Sequence, residues 1–410
     1  MPKRALLAAA IFVLVACTGG SSASTSPAAT ADLGGSSTSV ATTAPPTGSS
    51  GVNRLVIIDD GGNIVTIDPD GTHPAPITDD GGAVRYFQPI WSPVADRLAW
   101  GEGTSEPAVG SSAGDGSDRS AVPISSPTFY LNWAPDGSQV GVLYGAPQGV
   151  VLEVVDPIDS TTVPIGSGSP FYFSWSPDST EMAVHVGGAT FGTIEPGGEL
   201  IDLGSTTPIY QALRWTPAGI FHIDSGGLEV VDRSSERLLA ELPGEPVYFV
   251  PNAQGSKVAI ESFTDEPAGS SATESPVATV KANAVSVLDV GTGEVDVASE
   301  DTSVGFFWSP DGEALLMLQL TGRTGEADVS VWNDGETTLL LTMTPPVSFF
   351  QNVLQFFDQY AQSLQLWSPD SASVALPGTI GEESGVWVIP TDGTDPTLVS
   401  DGSWVAWSYG

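Results

Sequence analysis

Phe171-Tyr172-Phe173-Ser174-Trp175-Ser176-Pro177-Asp178 is the stretch that decides how this chain folds. A short aromatic run of strand-forming type leads into an indole. Proline then fixes φ for a turn, and aspartate offers a side-chain acceptor to the backbone beyond it. The same order returns at Trp308-Ser309-Pro310-Asp311-Gly312 and Trp367-Ser368-Pro369-Asp370. Close variants stand at Trp91-Ser92-Pro93, Trp133-Ala134-Pro135-Asp136-Gly137 and Trp215-Thr216-Pro217. Two weaker copies, Phe249-Val250-Pro251 and Trp407-Ser408, complete the series.

The anchors Trp91, Trp133, Trp175, Trp215, Phe249, Trp308, Trp367 and Trp407 follow one another at 42, 42, 40, 34, 59, 59 and 40 residues. A period near 40 with about four short strands per unit is the signature of radially stacked blades, none of which can bury both faces alone. Strands follow the turns at once, as in Arg97-Leu98-Ala99-Trp100, Met182-Ala183-Val184 and Lys257-Val258-Ala259-Ile260. Each indole is placed to fill the space between adjacent sheets. The expected fold is an all-β propeller of about eight four-stranded blades. The irregular Phe249 copy and the two long intervals leave seven as the alternative.

These motifs resemble the TolB-like propeller repeat, which is also found in the non-catalytic domain of prolyl oligopeptidase and dipeptidyl peptidase relatives. The resemblance covers residues 54–408, and it implies that the strand ending in each anchor is the innermost of its blade. Leu55-Val56-Ile57-Ile58, Ile64 to Ile67 and Ala75 to Thr78 would then be three strands of a blade whose first strand is supplied by Trp404-Val405-Ala406-Trp407. Such pairing of the chain ends closes the ring and removes exposed edges. A single propeller domain over 54–410 is expected.

Ahead of it, Lys3-Arg4 forms a basic n-region and Ala5 to Val13 an apolar run too short to span a bilayer. Leu14-Val15-Ala16-Cys17 resembles a bacterial lipoprotein lipobox, which implies a signal peptide over 1–16 and diacylglycerol on Cys17. The alternative is a plain secretory signal with a chance cysteine. Cys17 is the only cysteine, so no intramolecular disulfide forms. Residues 17–53 are dominated by Ser, Thr, Ala, Gly and Pro and read as a disordered tether with an r.m.s. span of about 30–35 Å. The expected location is extracytoplasmic, on the bacterial membrane and held there by the lipid alone.

Twelve basic residues face 49 acidic ones for a net charge of −37, so nucleic acid and anionic lipid are rejected as partners of the folded head. Gly110-Ser111-Ser112-Ala113-Gly114 matches the hydrolase pattern G-x-S-x-G. No helix signal follows it, however, only the Gly/Ser loop Asp115-Gly116-Ser117-Asp118-Arg119, so the match is read as accidental. Of the three histidines, His73 lies in a turn, while His185 and His222 lie in strand-like segments and read as structural. The turns Asp59-Asp60-Gly61-Gly62, Asp68-Pro69-Asp70-Gly71 and Asp79-Asp80-Gly81-Gly82 offer oxygen ligands, but none has EF-hand spacing. Calcium is a minor reading there, and no metal or other cofactor is expected.

The two 59-residue intervals hold the individuality. Thr264 to Ala284 is rich in Ser, Glu, Pro, Ala and Thr and reads as a solvated excursion. In the second interval, about 347–365, Val353, Phe356, Phe357, Tyr360 and Leu364 recur at helical spacing after Pro345-Pro346 and a candidate cap at Ser348. One short inserted helix is expected, packed on the rim or plugging a channel mouth. If its aromatic face is exposed instead, Phe356, Phe357 and Tyr360 form a docking patch.

The functional expectation is a monomeric, non-catalytic scaffold presenting its propeller to a protein, peptide or glycan of the cell envelope. The alternative is a glycan or peptide hydrolase or lyase using channel carboxylates, and a facing carboxylate pair with one perturbed pKa would distinguish it.

Overall fold

The computed structural model describes residues 52–187, 190–204, 211–224, 227–232, 235–264, 277–361 and 363–410. The signal peptide, Cys17 and nearly all of the tether lie outside the described residues, as does 265–276 of the expected excursion. From Leu55 to Trp407 the chain forms eight antiparallel sheets arranged as the blades of a propeller. The first blade pairs Ala75–Pro76, Ile64–Ile67 and Leu55–Ile58 with Trp404–Trp407 from the other end of the chain. Leu55 stands opposite Trp407 and Ile58 opposite Trp404. The closure expected from the sequence is the one the chain makes, and eight blades replace the alternative of seven.

Six further blades open with the innermost strands Arg85–Trp91, Thr128–Trp133, Phe171–Trp175, Arg214–Thr216, Val247–Pro251 and Ser303–Trp308. Phe249 is buried but is not the anchor: it stands opposite Ile260 as Phe306 stands opposite Met317, two residues before the anchor position, which Pro251 fills opposite Val258 as Trp308 does opposite Leu315. Three of the anchor indoles bridge blades, whereas Trp91 and Trp133 bury their Nε1 without a partner. Trp175 Nε1 donates to the Asn132 carbonyl at 3.1 Å, Trp308 Nε1 to Val250 at 2.8 Å, and Trp367 Nε1 to Phe307 at 3.0 Å, each acceptor lying on the preceding blade's innermost strand. A buried indole N–H needs an acceptor, and the neighbouring strand supplies one without disturbing its own ladder.

The rest of the motif is a hydrogen-bonded clasp. The hydroxyls of Ser176, Ser309 and Ser368 donate to Asp178, Asp311 and Asp370 two residues on, at 2.7, 2.5 and 2.6 Å. Each hydroxyl also accepts the backbone N–H five residues on, from Glu181, Ala314 and Ser373. The residue after the aspartate takes positive φ. At Gly312 a Cβ would lie 2.8 Å from the Asn252 amide of the previous blade, so glycine is favoured there on both counts. At Ser179 and Ser371 the hydroxyl instead accepts from the backbone of the previous turn, at Asp136 and Asp311, and this bond offsets the strain.

Three departures from the expected pattern matter. The last blade has three strands, Ser373–Ile380, Glu383–Pro390 and Thr397–Ser400, because Trp367 makes only an isolated bridge to Val374. Its approach is diverted: Trp407 N–H takes the Gln365 carbonyl at 2.6 Å, so this stretch bonds the first blade as well as its own. The fifth blade gains a parallel edge strand, Ala278–Thr279, beside Glu236–Glu241, and Val280 and Ala284 are buried. The segment from Thr264 to Ala284 is therefore not wholly a solvated excursion. Its last residues cover an otherwise open sheet edge.

The inserted segment is also not one helix. It folds as a helix at Val347–Asn352, a 3₁₀ turn at Leu354–Phe356 and a single turn at Phe357–Tyr360, broken at Val353 (φ −122°) and Phe356 (φ −130°). Pro346 occupies the N-cap with no side-chain bond, so Ser348 does not cap it. The breaks let successive aromatic side chains reach different blades, which a straight helix with one apolar stripe cannot do.

Candidate functional site: the plugged channel mouth

The innermost strands all run toward their anchors, so their first residues surround the mouth opposite the Trp-Ser-Pro turns. Residues 347–361 lie across this mouth. Leu354 packs near Gly305, and the Phe357 ring meets Phe306, Phe307 and Tyr248 at centroid distances of 4.7, 6.3 and 5.5 Å. Tyr360 contacts Phe129, Tyr130 and Tyr172 at 5.3–5.5 Å. Its hydroxyl donates to the Phe171 carbonyl at 3.4 Å, and Tyr172 donates to Gln359 Oε1 at 3.2 Å. The third, fourth, sixth and seventh blades are thus joined through one segment, and the fifth joins through Arg214.

Arg214 is buried at the start of its strand and donates to the Leu213 carbonyl at 3.2 Å and to the main-chain carbonyl of Asp358. Burial pushes the Asp358 carboxyl up to about 7 against the pull of this guanidinium, and burial lowers Arg214 to about 10. Close by, Glu261 is fully buried. Its Oε1 accepts from Ser303 N–H at 3.1 Å, and burial pushes it up to about 8. Burial, and then the charges of Asp358 and Glu261, push the Tyr248 hydroxyl up. Each carboxyl is shifted by burial, with no contribution from the other.

The docking residues expected from the sequence are mostly consumed here. Phe357 is 5% exposed, and Phe356 and Tyr360 are half-buried and packed against each other at 6.2 Å. The three do not form an exposed patch, because the ring of innermost strands offers more apolar contact than solvent does. What the plug presents outward is Val347, 70% exposed, and Phe350, 40% exposed. Sequence periodicity missed both, since neither belongs to the apolar stripe.

Other expected sites fall as follows. Ser112 of the G-x-S-x-G match lies buried in strand Ala108–Ala113 and donates to the Ala113 carbonyl at 2.8 Å. A nucleophile elbow needs a sharp strand-to-helix turn, whereas this serine sits within a strand. Asp68 pairs with Arg54 at 3.0 Å and His73 at 2.8 Å, while Asp59 and Asp70 accept backbone N–H groups within their own turns. His185 Nδ1 bonds the Gln211 carbonyl at 2.8 Å, as a structural histidine does.

No family model and no curated protein matches the sequence. Solved structures match at low identity. A eukaryotic initiation factor is 11% identical over 87% of this chain and 98% of its own, with a TM-score of 0.56. Dihydro-heme d1 dehydrogenase NirN in complex with DHE is 13% identical over 89% and 75%, with a TM-score of 0.54. TolB from Acinetobacter baumannii is 16% identical over 70% and 63%, with a TM-score of 0.40. Similarity at this level concerns the propeller fold alone.

Proposed function

We propose that this chain is a non-catalytic binding propeller, held outside the cytoplasmic membrane by a lipidated Cys17, that offers its plugged mouth to a protein, peptide or glycan of the cell envelope. The observation that carries this reading is the position of the plug. The chain enters the propeller beside Trp407, where Trp407 Nε1 donates to Asn53 Oδ1 at 2.7 Å and Arg54 N–H donates to Ser408 Oγ at 3.0 Å. That is the anchor end of the innermost strands, so the plugged mouth is the one remote from the point where the chain enters the propeller. With its own chain across this mouth, the outer face of the plug and the surrounding loops are the surfaces it offers.

Crosslinking and affinity capture from native membranes test this, comparing the intact protein with a Val347→Ser, Phe350→Ser double variant. Both side chains are exposed, so the variant keeps its fold. A stoichiometric envelope partner lost in the variant supports the reading. A glycan or peptide turnover activity abolished by Asp358→Asn or Glu261→Gln overturns it and establishes the hydrolase or lyase.

A further inference from the structure

The fifth blade carries a second cluster, away from the channel. His222 in strand Gly219–Asp224 stands directly opposite Glu229 in strand Gly227–Val231. Glu236, which opens the next strand, stands opposite Val231, two residues along from Glu229 and therefore on the same face. One donor atom from each of the three side chains lies within 4.8 Å of the others. His222 is 5% exposed, and its ring lies 4.7 Å from that of Phe191 on the fourth blade. Nε2 is 3.2 Å from Glu236 Oε1, yet neither ring nitrogen has a partner in hydrogen-bonding geometry. Asp224, two residues from His222 on the same strand face, adds a further carboxylate whose charge is felt by both His222 and Glu229.

A buried imidazole with no well-directed hydrogen bond is costly, and so is holding carboxylates together beside it. One species satisfies all of them: a divalent cation that takes the imidazole lone pair and a carboxylate oxygen from each glutamate. We propose that His222, Glu229 and Glu236 form a divalent-cation site of mixed nitrogen and oxygen ligands, of the zinc class. An imidazole ligand disfavours calcium and magnesium, which take all-oxygen shells, and among borderline metals a three-ligand set of this kind suits Zn²⁺. Ligands about 2.0–2.2 Å from a tetrahedral Zn²⁺ stand about 3.4 Å apart. The His222 and Glu236 atoms are already near that spacing, and rotation of the Glu229 side chain brings in the third. Glu236 is 53% exposed, so the fourth coordination position faces solvent, where water or an incoming ligand can occupy it. The cation would also pin three successive strands of a blade whose outer edge is completed only by Ala278–Thr279.

Chelator-treated full-length protein, titrated calorimetrically with ZnCl₂ and separately with CaCl₂ at 0.15 M salt, tests the site. The expected result is one saturable Zn²⁺ equivalent, bound at least about tenfold more tightly than Ca²⁺, with a melting temperature that rises on loading. Glu236→Gln alters an exposed side chain and preserves the fold; it should weaken Zn²⁺ at least about tenfold and abolish the thermal shift. Glu229→Gln should act alike, and Co²⁺ bound in place of zinc should show a visible absorption band that both variants lose. Zinc taken up only as weak, multisite binding to the acidic surface, unchanged by either variant, overturns the proposal. Calcium bound as tightly as zinc and lost in the same variants overturns the assignment of a nitrogen ligand.

Discussion

Trp91 and Trp367 are both anchors, 2% and 1% exposed, but they differ in one bond. Trp367 Nε1 donates to the Phe307 carbonyl, whereas Trp91 Nε1 is buried without a partner. Replacing each with phenylalanine removes a similar volume from a similar position, so the packing loss largely cancels in the comparison. In Trp367→Phe an inter-blade hydrogen bond worth about 0.5–1.5 kcal/mol is also lost. In Trp91→Phe an unsatisfied donor disappears, which relieves about 1–3 kcal/mol of desolvation. The expected difference in destabilisation is therefore about 1.5–4.5 kcal/mol, with Trp367→Phe the worse. Urea denaturation followed by tryptophan fluorescence measures it, provided the slope with denaturant is the same in both variants. Equal destabilisation would refute the claim that indole N–H groups stitch the blades, and would leave the anchors as space-fillers only.

Other expectations follow from single positions. Arg214→Met should cost about 3–5 kcal/mol by leaving the buried groups at Asp358 without their cation, and adding Asp358→Asn should recover part of that loss; calorimetric melting of the single and double variants reads both. Glu261 has a folded pKa of about 8 against an unfolded value near 4.5, so the native state holds the extra proton and stability falls as pH rises from about 4.5 through 8. Glu261→Gln should flatten that fall, and its stability relative to the parent should be greater at pH 9 than at pH 5 in paired denaturation curves. Val280→Ala should lower stability by about 1–3 kcal/mol, because that side chain is buried beneath the added edge strand; an unchanged melting temperature would return the segment to the status of a free loop.

The innermost strands, their order and the closure of the ring were legible in the sequence because each depends on local chemistry repeated many times. Trp-Ser-Pro-Asp builds its own turn through the Ser176–Asp178 type of bond, and the alternation of the following strand fixes which face is buried. The poor copy at Phe249 marked the right strand but the wrong residue, since Pro251 fills the anchor position there. What the sequence could not contain was where one blade's side chains end relative to another's. Helical periodicity in 347–365 showed an apolar stripe, but that stripe is divided among several innermost strands, so the segment breaks into three turns and buries Phe357. Asp358 and Arg214 are 144 residues apart and meet only because the plug crosses the mouth. His222, Glu229 and Glu236 likewise looked like ordinary strand residues at unremarkable spacing. Cross-strand register placed them on one face, and the bulge between Leu228 and Glu229 helps to set that register. Architecture follows from a repeated local rule that each blade satisfies with its neighbours, whereas both candidate sites arise from contacts made once, between segments that only the closed ring brings together.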